Sequence, residues 1–278
     1  MAEKTKIEWT DGGATWNPIT GCSVVSPGCT NCYAMRLAGT RLAHHSSRAG
    51  LTRDTKAGPV WTGEVRFNEQ WLDQPLRWRR PRMIFVCAHG DLFHEAVPVD
   101  WIDAVFAVMS AADQHTFQVL TKRPERARAY ICGMASGMDR LARFARWATM
   151  DLVPDDMPWP LPNVWLGVSI EDQTRAHRVW DLAHTPATVR WVSAEPLLTP
   201  LDAISAGILD IADDGKPAVD WIVVGGESGP AHRAMDPEWA RSLRDQCAGR
   251  VAFFMKQMAG KGPIPPDLMV REWPRIVA

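Results

Sequence analysis

Seven times along this chain a short apolar run breaks off into polar residues, and most of these runs are followed by a stretch of helical character. The first lies just before Cys22. "PRMIFVCAHGDLFHE" (81–95) carries Ile84, Phe85 and Val86 and ends at His89, Gly90 and Asp91. "TFQVLTKRPER" (116–126) ends in Thr121, Lys122 and Arg123, and "NVWLGVSIEDQ" (163–173) in Ser169, Ile170 and Glu171. "TVRWVSAEPLL" (188–198) ends in Ser193, Ala194 and Glu195, "DWIVVGGESG" (220–229) in Gly225, Gly226 and Glu227, and "RVAFFMKQMAG" (250–260) in Lys256 and Gln257. Runs of this length and composition read as buried strands. Helical segments at 30–45, 98–112, 124–150, 171–184 and 236–247 fit between them, the last opened by "DPEW", with Asp as N-cap and Pro in the first turn. Strand and helix alternating in this way predicts an α/β fold, a partial or complete parallel (β/α) barrel of about six to seven strands. One domain over 1–278 is expected, with irregular insertions near 46–64 and 130–162, least regular at 151–162, lying at the surface.

In such a barrel, ligands bind at the C-terminal ends of the strands. Solvent alone explains one or two polar strand ends. It explains poorly six that carry acids, bases or glycines, and a shared site at one rim is the better reading.

Lys and Arg (31) nearly balance Asp and Glu (32), so net charge selects no partner. The opening "MAEKTKIEWTDGG" has no apolar leader, and no apolar stretch approaches the roughly 18 residues of a membrane span. A cytoplasmic protein with no membrane partner is expected. In that reducing setting the six cysteines read as thiols or metal ligands. Cys87, Cys132 and Cys247 stand alone and are expected to be buried small side chains. The fourteen tryptophans are unusual. For those beside apolar runs (Trp165, Trp191, Trp221), core packing is expected rather than base stacking.

The other three cysteines fall together in "TGCSVVSPGCTNCYA" (20–34), a C-x6-C-x2-C run in which Pro27 and Gly28 supply the turn that folds the spacer back. Cys22, Cys29 and Cys32 can therefore converge, and thiolate softness favours iron–sulfur or zinc. A structural zinc site needs a fourth ligand. His44 and His45 lie about 18 Å along a continuous helix from Cys32, too far to close it, and Cys87 reaches only if its strand adjoins the first. A [4Fe-4S] cluster on three thiolates leaves one iron open.

That arrangement resembles the radical S-adenosylmethionine superfamily, in which the open iron is chelated by the cofactor's amino and carboxylate groups. In those enzymes, reductive cleavage yields a 5′-deoxyadenosyl radical that abstracts hydrogen from substrate. More narrowly, the cysteine segment with its "KIEWTD" approach, "DLFHE", "LTKRP", "GVSIE", "SAEPLL" and "VVGGESG" together resemble a bacterial and phage family of three-cysteine, radical-SAM-like proteins of unassigned activity. The resemblance implies a [4Fe-4S] cluster on Cys22, Cys29 and Cys32, bound S-adenosylmethionine and an external electron donor. The superfamily's three-residue spacer is six here. The position before the last cysteine, commonly an aromatic against the adenine, is Asn31, which leaves Tyr33 as the aromatic candidate.

For the cofactor, the resemblance makes Asp91 the candidate acceptor of the amino group and Gly90 the close-approach residue. Lys122 or Arg123 would face the carboxylate, and Ser169 and Glu171 the ribose. Glu195, Glu227, Ser228 and Lys256 remain for the substrate, the two glutamates and the lysine as candidate catalytic groups that orient it or move protons. Segment 121–146 holds seven Lys or Arg (Lys122, Arg123, Arg126, Arg128, Arg140, Arg143, Arg146) against Glu125 and Asp139, and Arg77, Arg79, Arg80 and Arg82 flank Trp78. Such clusters usually mark a solvated face, but basic residues beside Trp also suit a nucleic acid or nucleotide substrate. The alternative is a zinc-stabilised, non-catalytic nucleic-acid-binding protein.

Overall fold

The computed structural model describes residues 4–134, 137–145, 147 and 157–275. Arg146, the end of the helix expected over 124–150 and residues 151–156 of the irregular loop lie outside them.

A 3-10 turn (Glu8–Thr10) precedes β1 (Ala14–Trp16) and β2 (Ile19–Thr20). The cysteine segment leads into α1 (Tyr33–Gly39), followed by β3 (Thr52–Thr55), β4 (Gly58–Trp61), β5 (Arg66–Phe67) and α2 (Gln74–Arg77). From there strand and helix alternate: β6 (Met83–Val86), α3 (Val99–Ala111), β7 (Thr116–Thr121), α4 (Pro124–Gly133), α5 (Gly137–Ala145), β8 (Val164–Ser169), α6 (Arg178–Ala183) and β9 (Val189–Ala194). Then come β10 (Trp221–Gly225), α7 (Pro237–Cys247) and β11 (Ala252–Gln257). Seven strands form one parallel sheet in the order β1-β6-β7-β8-β9-β10-β11. The sheet curls into a partial barrel with β1 and β11 at its edges. All seven strands expected from the apolar runs are present.

Both faces of this sheet are covered, so its strands alternate between two apolar environments rather than between core and water. Ile84, Val86, Phe117, Val119, Leu166, Val168, Val192, Ile222 and Val224 pack toward the helices. Phe85, Trp165, Trp191, Trp221, Val223 and Phe254 pack together on the inner face. Gly167 is required there, because a Cβ would run into the indole of Trp191. The tryptophans beside the apolar runs are thus core residues, as expected.

The open side of the bore is filled from the N-terminus. Trp9, 2% exposed, packs its ring 4.7 Å from Phe85 and 5.2 Å from Trp191, and its carbonyl accepts a hydrogen bond from Gln118 of β7 at 3.0 Å. The turn that carries it lies against β6 and β11.

Several expectations change. The helix after the cysteines stops at Gly39, where the chain packs so closely on Pro59 that a Cβ would clash. The distance argument for His44 and His45 therefore lapses, although neither lines the cavity described below. The insertion at 46–64 contains the β3–β4 hairpin, which packs on α1. The segment 171–184 is a 3-10 turn at Gln173–Arg175, N-capped by Asp172, followed by α6. Asp236 caps α7 through Glu238 N, as the "DPEW" signature implies. Cys87 and Cys247 are buried, but Cys132 is exposed. No helix among the described residues is long and apolar enough to cross a membrane.

Candidate functional site

At the C-terminal ends of the parallel strands lies a cavity of about 510 Å³, within the range of small-molecule pockets. Cys22, Cys29 and Cys32 line it on one side and Glu195, Lys256 and Gln257 contribute elsewhere, with Tyr33, Gly90, Asp91, Lys122, Arg123, Ser169, Ser228 and Glu227 also at its wall. The spacing of the cysteines leads them there by a local route. The chain leaves β2 at Thr20, a 3-10 turn at Pro27–Cys29 reverses it, and Cys32 sits at the start of α1.

Most of the polar strand ends hold this loop. Glu171, fully buried, accepts from Ser26 Oγ at 2.6 Å, pairs with Lys122, and receives Arg178 Nη1 at 3.2 Å. Its side chain lies where a Cβ of residue 28 would fall, so only glycine fits at Gly28. Glu171 does not line the cavity. It stands behind the loop rather than facing a ribose, contrary to the sequence expectation. Asp91 is likewise taken up: Oδ1 accepts from Phe93 N (3.0 Å) and Thr121 Oγ1 (2.7 Å), and Oδ2 from Lys122 N (3.1 Å) and Arg123 Nη1 (3.0 Å). No lone pair is left for the amino group once assigned to it. Arg123 also donates to Glu95 through Nε (2.9 Å), to Ser23 Oγ through Nη2 (2.7 Å) and to Cys22 Sγ through Nη1 (3.6 Å), so it too is engaged with the loop.

Glu227 completes the clamp from β10. It accepts from Asn31 Nδ2 at 2.8 Å and from Arg233 N at 2.7 Å, and the Arg233 guanidinium pairs with it while reaching Pro27 O at 2.9 Å. Burial works against its charge, yet Arg233 and Asn31 hold its carboxyl below the ordinary glutamate value. The amide of Asn31 is thereby committed to the fold, bridging Glu227 and Ala231 O (2.9 Å). Ser23, Ser26, Arg178 and Arg233 were missed in sequence, where nothing but their ordinary polarity marked them.

Glu195 and Lys256 are differently placed. Lys256 Nζ lies 2.8 Å from Glu195 Oε1, and Ser193 Oγ donates to Glu195 Oε2 at 3.3 Å. Both charged groups line the cavity, Glu195 just past β9 and Lys256 on β11, and among the described residues their ion pair joins them to each other rather than to residues 22–32. Tyr33 reaches across from α1 to donate to Ala88 O at 2.6 Å and meets the His89 ring edge-on at 6.0 Å. Ser169 lines the wall, its carbonyl receiving Arg178 at 2.7 Å.

The three thiols share one electrostatic environment. Burial pushes Cys22 up to about 12, with Asp91 adding to the rise, Arg123 opposing it, and Cys32 and Cys29 adding their own charge. Burial also raises Cys32. For Cys29, Lys122 and hydrogen bonds from Val25 and Ser26 outweigh burial, and the thiol lies below its ordinary value. Cys87 does have its strand beside β1, as its candidacy required, and it lines the cavity with a left-handed backbone (φ 53°). The charges that act on it are Asp91 and Arg48, not the three thiols.

Among the described residues no three His, Cys, Asp or Glu gather closely enough for a single metal ion. A cluster asks for something else: thiolates standing apart around an inorganic core, with cations to offset their charge. Three cysteines on one cavity wall, with Lys122 acting on Cys29 and Arg123 on Cys22, fit that demand.

The basic segments are largely engaged within the fold. Arg126 donates to His94 O and Val97 O, Arg128 pairs with Asp181 at 2.8 Å, Arg143 pairs with Asp103, and Arg140 donates to Met134 O at 2.8 Å. Arg77 to Arg82 precede β6, at the barrel end opposite the cavity. There Trp78 is buried beneath Arg82 (4.8 Å), while Arg79 and Arg80 are exposed.

Fold and site thus define a partial parallel α/β barrel whose strand ends clamp a three-cysteine loop over a cavity. Over residues 4–267 the chain matches the family described as protein of unknown function (DUF5131), and it belongs to that family. No curated protein and no solved structure matches it.

Proposed function

We propose that this protein is a radical S-adenosylmethionine enzyme, with Cys22, Cys29 and Cys32 as the ligands of a [4Fe-4S] cluster and an external protein or reductant as electron donor. The observation that carries this reading is that the three thiols line one cavity at the C-terminal ends of parallel strands, with Arg123 donating to Cys22 Sγ and Lys122, paired with Glu171, close enough to favour the Cys29 thiolate. When bound, the cluster and S-adenosylmethionine together supply the reducing electron and the radical that removes hydrogen from substrate. The chain's own residues divide the remaining work. Asp91, Lys122, Arg123, Glu171 and Glu227 hold the cysteine loop, and Gly90, Tyr33 and Ser169 line the wall available to the cofactor. Glu195 and Lys256, paired with each other, are the acid and base not engaged in holding the loop, placed to orient substrate or exchange a proton with it.

The engaged state of the 122–143 cations argues against a long nucleic-acid track. A single nucleotide or base entering the cavity is the substrate class we propose. The competing zinc reading requires a fourth ligand, and neither His44 nor His45 lines the cavity.

Anaerobic purification decides between them. About four irons per chain, with reductant-dependent release of 5′-deoxyadenosine, is the expected result, and Cys29→Ala should lose the iron. A colourless protein carrying one zinc would refute the proposal.

A further inference from the structure

The geometry points to Arg123 as a positioning residue for Cys22, one that raises the reduction potential of a cluster bound through that sulfur. This rests on the cluster reading above.

Of the five N–H groups of a guanidinium, Arg123 commits Nε to Glu95, both hydrogens of Nη1 to Asp91 Oδ2 and Cys22 Sγ, and one of Nη2 to Ser23 Oγ. Ser23 is itself fixed by His94 Nε2 at 3.0 Å. The residue beside the ligand and the ligand sulfur are therefore gripped by one planar group. Asp91, with its four donors, is itself fixed and so holds the guanidinium in one orientation at the cavity wall. Arg123 is 6% exposed, so water screens its charge little. A reduced cluster carries one more negative charge than an oxidised one. A buried N–H donor and cation at a ligand sulfur stabilise the reduced form more, and the potential rises. Lysine at this position keeps the charge but lacks the fork that meets Asp91, Ser23 and Cys22 together.

The test uses the full chain, reconstituted anaerobically with iron and sulfide, in an EPR-monitored redox titration. Arg123→Lys should hold iron at the wild-type stoichiometry with a lower potential, and Arg123→Gln should fall further. Arg123→Gln that melts like wild type but loses its iron also supports the assignment, because the sulfur has lost its partner without loss of fold. A potential of Arg123→Lys indistinguishable from wild type overturns it. A wild-type chain that takes up no iron refutes the cluster reading itself, a separate outcome read before any variant is compared.

Discussion

Glu171→Gln tests whether the cysteine loop is seated by a buried charge. The carboxylate is fully buried and serves Ser26, Lys122 and Arg178 at once. Glutamine keeps the volume but removes the negative charge, and its NH2 must face one of these donors. Arg178 (side chain 5% exposed) can neither deprotonate nor reach water, whereas Lys122 (19%) can relax partly. Breaking a buried pair by removing one partner costs about 3–5 kcal/mol, and the relief at Lys122 places this case near about 3. For a chain of this size that is a fall in Tm of about 6 °C. The measurement is a tryptophan-fluorescence melt of the reduced, metal-free protein, with limited proteolysis between residues 23 and 31 as a local readout. Glu95→Gln is the control: it too pairs with a buried arginine, Arg123, but its own side chain is 64% exposed and the loss should stay under about 1 kcal/mol. If Glu171→Gln melts no lower than Glu95→Gln and the loop is cleaved no faster, the seating argument is wrong.

Trp9→Ala removes the side chain that fills the open side of the bore, and should lower stability by about 3–5 kcal/mol in a denaturant titration. An unchanged midpoint would mean the turn is not part of the core. His89 is held down to about 4 by burial and by Arg48, so between about pH 6.5 and 4 the unfolded chain binds the proton that the folded chain refuses. Its contribution is therefore present above about 6.5 and lost as pH falls toward 4. Burial also lowers His94 and His115, which act in the same direction, so melts of His89→Gln should show a shallower but not flat dependence over that window.

The strands from β6 onward in the large sheet were legible because each is an apolar run bounded by polar residues, and a sheet buried on both faces needs little else; β1, only Ala14–Trp16, is the exception. The cysteine cluster was legible because its turn is local: Pro27 and Gly28 lie between the first two thiols. Helix ends were less so. α1 stops at Gly39, where glycine is both a helix-stop residue and the only one that fits against Pro59, and the second of these reasons is not visible in the local sequence. The roles of the strand-end acids were least legible. Ser26 meets Glu171 across 145 positions and Asn31 meets Glu227 across 196, so no spacing rule connects them. The basic segment at 121–146 resembled a binding face only because its acidic partners, Asp103 and Asp181, lie elsewhere in the chain.

The sequence by itself determined that seven strands and their helices form, that their polar ends share one rim, and that three thiols fall close together. These follow from local pattern and chain connectivity. Only the tertiary structure decided which polar groups face the cavity and which hold the loop. A carboxylate drawn into a low-dielectric interior must find donors there, and the donors available to Glu171, Asp91 and Glu227 are set by which segments the curled sheet brings together. Those three acids are therefore bound to the loop and its neighbours, Glu171 behind the wall and Asp91 and Glu227 within it, while Glu195 and Lys256 at the same wall are paired with each other across the end of β10.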